Sequence, residues 1–214
     1  MYSLSLYYNI LCQYLPLFPV GYSGSMRVLS AAQLQNVALG ARYLLGCKIH
    51  RKTPDGEVLR ARIVETESYH QEDPASHIFR GESPRNKAMF GPAGYAYVYF
   101  TYGMHWCFNV TAGPEGYGAG ILIRSAEPLE GIETMRQIRR VDDANLTNGP
   151  AKLAQAMVIG KELYGHDLTQ PPLQIYEPDN RNFEVIATTR IGISRGVDEI
   201  ARFYIKNNPF VSRK

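Results

Sequence analysis

The run Val64-Glu65-Thr66-Glu67-Ser68-Tyr69 sets two carboxylates and a phenol at alternate positions. On an extended strand alternate side chains share a face, so Glu65, Glu67 and Tyr69 can look into one cavity. A carboxylate held beside aromatic surface is a candidate general base, able to take a proton from water. The same spacing fits two acids that are solvated or paired with Arg60 and Arg62, and the residues alone leave both readings open. Arg124 stands in the apolar run Ile121-Leu122-Ile123-Arg124-Ser125, where a guanidinium needs a partner and a carboxylate is the natural one. His77 and Asn109 are further candidates, equally at home as a satisfied polar residue and a turn-bonding amide. No glycine-rich loop has phosphate-binding spacing, no serine or cysteine sits in a nucleophile elbow, and no ligand spacing suggests zinc.

From Tyr95 to Asn109 the chain reads Tyr-Ala-Tyr-Val-Tyr-Phe-Thr-Tyr-Gly-Met-His-Trp-Cys-Phe-Asn. Tyr95, Tyr97 and Tyr99 recur at period two and predict a row of rings on one face. Gly103 predicts a tight reversal that would put Tyr102 at a hairpin tip. Rings in a row can stack on a nucleobase, and a ring at a tip can enter a duplex; a stripe on a sheet face or in the core is the other use of the pattern. Arg80, Arg85 and Lys87 form one basic cluster and Arg136, Arg139 and Arg140 another, suited to phosphates or simply to solvent.

The elements that would position these groups follow from periodicity. Ser30-Ala31-Ala32-Gln33 has capping-box spacing, and Leu34, Val37, Ala38, Ala41, Leu44 and Leu45 then mark one helical face that Gly46 ends. Strands are predicted over residues 47–52 and 57–67, around the turn Thr53-Pro54-Asp55-Gly56. The stretch from His70 to Lys87 is polar and without period, a long loop of the kind that often carries function. Strands over 94–100, 104–111 and 121–124 come next. Helices are predicted over Leu129 to Arg140, with Ile132, Met135 and Ile138 inward, and after Asn148-Gly149-Pro150. Three strand-like runs, 173–176, 185–193 and 202–206, complete the chain. The sum is an α+β fold in a single domain: a mostly antiparallel, curved sheet flanked by helices, with a protruding β-hairpin.

A chain of 214 residues is long enough for one well-buried core. Its 45% hydrophobic and 20% charged residues are those of an ordinary globular protein, which excludes a disordered or fibrous class. A net charge of +3 permits a nucleic-acid partner without requiring one. Cys12, Cys47 and Cys107 make no disulfide framework, so a reducing, intracellular compartment is expected, with Cys47 and Cys107 as buried thiols. Residues 1–26 carry no charge, lack the basic start of a secretory signal and are broken by Gln13, Pro16 and Pro19, which makes them a poor membrane span. They are read as an apolar extension, disordered or not native to the protein, ahead of a folded domain over residues 27–214.

Several segments, taken in order, form a recognisable series: Arg62-Ile63-Val64-Glu65-Thr66-Glu67-Ser68-Tyr69, Asp73-Pro74-Ala75-Ser76-His77, Ser83-Pro84-Arg85-Asn86-Lys87-Ala88-Met89-Phe90, Tyr97-Val98-Tyr99-Phe100-Thr101-Tyr102-Gly103-Met104, Leu122-Ile123-Arg124-Ser125-Ala126-Glu127-Pro128 and Asn148-Gly149-Pro150-Ala151-Lys152-Leu153. The series resembles the alkyladenine (3-methyladenine) DNA glycosylase family. The resemblance implies a DNA repair enzyme that turns alkylated, and also deaminated, purines out of double-stranded DNA and hydrolyses the N-glycosidic bond. The product is an abasic site, without lyase chemistry. By position it implies Glu67 as catalytic base, with Arg124 beside the attacking water. Tyr69, His77, Tyr99 and Asn109 would form the base pocket, Asn109 disfavouring guanine, and Tyr102 would be the intercalating wedge. In such a mechanism Arg85 and Lys87 hold phosphates without reading sequence. No metal, other cofactor or membrane partner is implied, and the protein would act as a monomer where DNA is. A non-catalytic binder of damaged nucleic acid and a small-molecule nucleosidase are the alternative functions; the first needs neither Glu67 nor Arg124, the second no wedge.

Overall fold

The computed structural model describes residues 27–101 and 103–212. The expectations for residues 1–26 and for Tyr102 lie outside these described residues.

Among the described residues eight strands form one antiparallel sheet: β1 (Lys48–Lys52), β2 (Val58–His70), β3 (Ala96–Thr101), β4 (His105–Thr111), β5 (Ala119–Glu130), β6 (Leu173–Tyr176), β7 (Val185–Thr189) and β8 (Ile200–Ile205). The spatial order is β3-β4-β5-β2-β1-β6, with β8 on β2 and β7 on β8. The long β2 changes neighbours along its length: β1 pairs with its first half, from Val58 to Arg62, and β8 with the second, from Glu65 to Glu67. A strand that serves two partners on one edge curls the sheet.

Among the described residues three helices flank the sheet: α1 (Val37–Tyr43), α2 (Ile132–Arg139) and α3 (Pro150–Ala156). The buried core lies between them and the sheet, built on Leu34, Leu44, Ile49, Leu59, Ile63, Phe108, Ile121 and Leu153. Pro150 opens α3 as expected, its missing N–H falling where a helix has no acceptor to offer. At Arg27 to Leu29 the chain is already joined to the sheet: the Leu29 N–H donates to the Ile175 carbonyl at 2.8 Å, and Val28 bridges Tyr176.

Four expectations are corrected. The single helix after Ser30 is a 3-10 turn (Ala31–Leu34) followed by α1, and the cap is Asn36, whose side chain accepts from the Leu39 N–H at 3.0 Å; Ser30 makes no capping bond. Leu129 belongs to β5, which runs through Pro128 because β2 still pairs with it there, and of the three apolar positions only Met135 of α2 is fully buried. Tyr95 precedes β3 and bridges Asp167, so the ring row on the strand is Tyr97 and Tyr99. The run from 185 leaves the sheet at Thr189, which frees residues 190–193 to turn toward the end of β2. The loop between β2 and the 3-10 turn Lys87–Phe90 contains no helix or strand, as its composition indicated. Cys47 and Cys107 are buried free thiols. No helix among the described residues is long and apolar enough to cross a membrane.

Candidate active site

Glu67 lies near the end of β2 opposite Leu122 of β5. Below it the register slips between Ile63 and Glu65 and again between Glu65 and Thr66, leaving Val64 and Arg124 without a cross-strand partner. Such irregularities bend a strand and re-aim a side chain. Here Arg124 comes between both acids, with Nη1 3.2 Å from Glu67 Oε2 and Nε 3.2 Å from Glu65 Oε1. The partners expected from sequence, Arg60 and Arg62, pair across the sheet with Glu130 and Glu127 instead.

The two carboxylates, both fully buried, differ in what surrounds them. Glu65 is saturated: Arg124, Arg202 (2.6 Å), the Ser125 hydroxyl (3.0 Å), and the Ser212 N–H (2.7 Å) and hydroxyl (3.0 Å) all donate to it. Glu67 accepts three bonds: from the Tyr69 hydroxyl at 2.8 Å and Arg124 on Oε2, and from the Ile191 N–H at 2.8 Å on Oε1. A carboxylate offers about four acceptor positions, so one remains on Oε1 among the described residues. Burial works against the Arg124 charge, but Glu67 and Glu65 outweigh it and hold the guanidinium above its ordinary pKa. Burial, then the negative Glu67, pushes the Tyr69 phenol far up, so it remains a donor.

Tyr69, Arg124 and Ile191, the three donors to Glu67, also line a cavity of about 320 Å³. Glu67 thus stands directly behind its floor. Tyr97 and Tyr99 stack on one another on the wall, centroids 5.5 Å apart and planes inclined by 27°. The His77 ring meets Tyr99 edge-on at 4.5 Å. Desolvation by that packing, then the Arg85 charge, lowers the His77 pKa, which favours a neutral ring. Asn109 lines the cavity with its amide nitrogen donating to the Tyr97 carbonyl at 3.0 Å. Cys107 and Met89 complete the apolar wall. Burial pushes the Tyr97 phenol up to about 12 and raises the Cys107 thiol, so both stay protonated at neutral pH. No group of three or more His, Cys, Asp or Glu among the described residues is placed to hold a metal ion.

The model of the methylpurine-DNA glycosylase (MPG) family matches residues 31–209. The chain belongs to this family. A protein of Carboxydothermus hydrogenoformans named "Putative 3-methyladenine DNA glycosylase" is 47% identical over 184 residues, covering 84% of this chain and 95% of that one. Two proteins of the same name are similar to it as well. One, from Methanoculleus marisnigri, is 45% identical, covering 81% of this chain and 92% of its own. The other, from Agrobacterium fabrum, is 49% identical, covering 71% and 77%.

In this methylpurine-DNA glycosylase family member, the residues singled out from sequence divide into three groups. Glu67, Tyr69, His77, Tyr99, Asn109 and Arg124 converge on the cavity or its floor. Arg85 and Lys87 are exposed and off the cavity wall, Arg85 donating to the Phe100 carbonyl at 2.8 Å. Tyr102 is outside the described residues. Sequence reasoning missed three things. Tyr97 had its signal in the ring row. Ile191, Gly192 and Ile193 had none: Ile191 acts through its backbone N–H, and all three reach the cavity from far along the chain. Ser212 on Glu65 was equally silent. Of the second basic cluster, two members are engaged within the protein: Arg136 holds Glu133 and Asp143, and Arg139 holds Gln155.

Proposed function

We propose that this protein is a monofunctional DNA glycosylase: it turns damaged purines out of duplex DNA and hydrolyses the N-glycosidic bond, leaving an abasic site. The observation that carries the reading is Glu67, a buried carboxylate behind the floor of a ring-walled cavity, with one acceptor position open. Residues 27–214 are taken as the catalytic domain, and residues 1–26 as an extension to it.

A stacked base hides its glycosidic bond, so the nucleotide must leave the helix, at a cost of a few kcal/mol that is smallest for a damaged or mispaired base. Tyr102 offsets that cost by stacking in the vacated space, a contact worth roughly 1–3 kcal/mol. Arg85 and Lys87 hold phosphates beside the hairpin. The everted base enters between Tyr69 and the Tyr97–Tyr99 pair. Alkylation at N3 or N7 makes the purine a cation, which electron-rich rings attract by about 0.5–2 kcal/mol. The same charge makes it a good leaving group. As it departs, positive charge develops on the sugar, and the negative Glu67 stabilises it. Water held on Glu67 Oε1 gives up its proton to the carboxylate and adds to C1′. Arg124 and Tyr69 fix the carboxylate's rotamer, and Asn109 screens the purine edge against guanine. A neutral lesion such as hypoxanthine needs a proton on the departing base, so it reacts more slowly.

The decisive test uses duplexes carrying one defined purine lesion, scored for abasic sites by alkali. Wild-type protein releases the base; Glu67→Gln loses at least about 100-fold in single-turnover rate, the scale of positioned acid–base catalysis, and still binds the damaged duplex. Wild type that binds without releasing base identifies a non-catalytic binder. Equal hydrolysis of the free nucleoside identifies a nucleosidase.

A further inference from the structure

Behind Tyr69, on the side away from the cavity, lies a second buried ionic group that the proposed chemistry does not use. Arg190 follows β7 immediately, and its side chain is wholly removed from solvent. Its guanidinium carbon sits 4.6 Å from the centre of the Tyr69 ring. Nη1 donates to the Ser68 carbonyl at 3.1 Å and to Asp73 Oδ2, and Nη2 donates to Asp73 Oδ1 at 3.1 Å and Glu199 Oε2 at 2.8 Å. Among the described residues Nε is buried without a hydrogen-bond partner, so the group is held by its other two nitrogens and by the ring. Asp73 in turn accepts from the Ala75 N–H at 2.9 Å, which shapes the loop that leads to His77. The next residue after Arg190 is Ile191, whose N–H holds Glu67.

Resting on the glycosylase reading, we infer that Arg190 is a positioning residue for base release: one guanidinium sets Tyr69 from behind, the His77 loop through Asp73, and the Ile191 N–H on Glu67. Tyr69 lines the cavity and Arg190 does not, so the ring stands between the cation and any base. A planar fork with five donors can serve a carboxylate, a carbonyl and a ring face together, which a lysine ammonium cannot do. Room for the pair depends on Gly196 (φ +57), where a Cβ would come within 3.3 Å of Arg190 Nη2 and 3.4 Å of Asp73 Oδ1. The arrangement ties three separate parts of the site to one point, and displacements of about an ångström are enough to cost a large part of a rate.

The test compares Arg190→Met, Arg190→Lys and the charge-free double variant Arg190→Met/Asp73→Asn with wild type. Full-length protein is used at a temperature well below each melting point. Single-turnover base release at saturating enzyme is expected to fall roughly 30- to 100-fold in all three, as positioning losses do. Affinity for a duplex carrying a tetrahydrofuran abasic analogue is expected to change less than about threefold, because the cavity is empty in that complex. Crystal structures of the variants should show Tyr69 withdrawn from Glu67. Recovery of the wild-type rate in the double variant, which leaves no unpaired buried charge, would overturn the inference, as would parallel losses of binding and rate. Tyr69 unmoved in the variant crystals would also overturn it. A wild-type protein that releases no base defeats the glycosylase reading instead, while the crystal comparison still decides whether Arg190 sets Tyr69.

Discussion

Tyr69 and Glu67 stand two residues apart on one strand, and the phenol of the first donates to the carboxylate of the second across 2.8 Å. The ring that faces the cavity and the carboxylate behind it are therefore one mechanical unit. Tyr69→Phe keeps the ring and removes the donor. A hydrogen bond to a charged group is worth about 1.5–3 kcal/mol, so single-turnover base release should fall on the order of 10- to 100-fold. Binding of a lesion-bearing duplex should be nearly unchanged. Gel-shift affinity and single-turnover rate, measured side by side, check both halves; a loss confined to binding would contradict it.

Arg124 joins two buried carboxylates, so its loss should be felt in the stability of the fold. Arg124→Ala leaves Glu65 with Arg202 and the two serines but strips Glu67 of its only cation among the described residues. Breaking a buried pair costs about 3–5 kcal/mol. Urea unfolding should show the midpoint moving down with an unchanged slope. A midpoint shift that, multiplied by the slope, comes to under about 1 kcal/mol would mean that Glu67 is far less desolvated than its burial indicates.

His70 supplies a dependence on pH. Its Nε2 lies 3.6 Å from Glu199 and its Nδ1 3.0 Å from Glu72. The Glu199 bond, helped by Glu72 and opposed by burial, raises its pKa in the folded state. A raised folded pKa means that the imidazolium's contribution is fully present below the unfolded value near 6.5 and is lost as pH climbs through the folded one. The stability gap between wild type and His70→Gln should therefore be wider at about pH 5.5 than at about pH 8.5. Thermal melts of both proteins at the two values settle the sign.

Two glycines separate backbone strain from crowding. At Gly131 (φ +74) an added Cβ would lie 2.4 Å from Leu59 Cδ2 and 2.8 Å from the Val58 carbonyl oxygen; at Gly56 (φ +88) it would meet nothing within 4 Å. Gly56→Ala is expected to cost about 1 kcal/mol, the left-handed penalty alone. Gly131→Ala adds a clash with backbone and should cost more by about 1–3 kcal/mol. Equal costs in denaturant unfolding would refute the distinction.

How much of this was legible in the chain follows from the range of each interaction. Strand periods, the Pro150 helix start and the polar loop after His70 are local signals, and they placed most of the elements. The pattern at Glu65, Glu67 and Tyr69 was also local, and so was the need of Arg124 for a carboxylate. What sequence did not reveal was which carboxylate. Both proved to be partners, because paired register slips in β2 and β5 turn Arg124 between them, and a slip leaves no mark in composition. Helix α1 begins late: Asn36 caps it, while Ser30, as good a cap by residue type, heads only a 3-10 turn and makes no capping bond. The Ile191 contact comes from a backbone N–H, which every residue type but proline carries, and Ser212 adds one hydroxyl to the same kind of bond from far along the chain, so no local pattern of side chains could announce them.

Ser212 bonds Glu65 through both its N–H and its hydroxyl, and Glu65 in turn steadies the arginine shared with Glu67. The acidic floor is therefore closed by a residue 147 positions downstream of the strand that bears it. Contacts of such separation form late in folding. A nascent polypeptide that has not yet emerged as far as position 212 carries its acid already but has no finished socket for it.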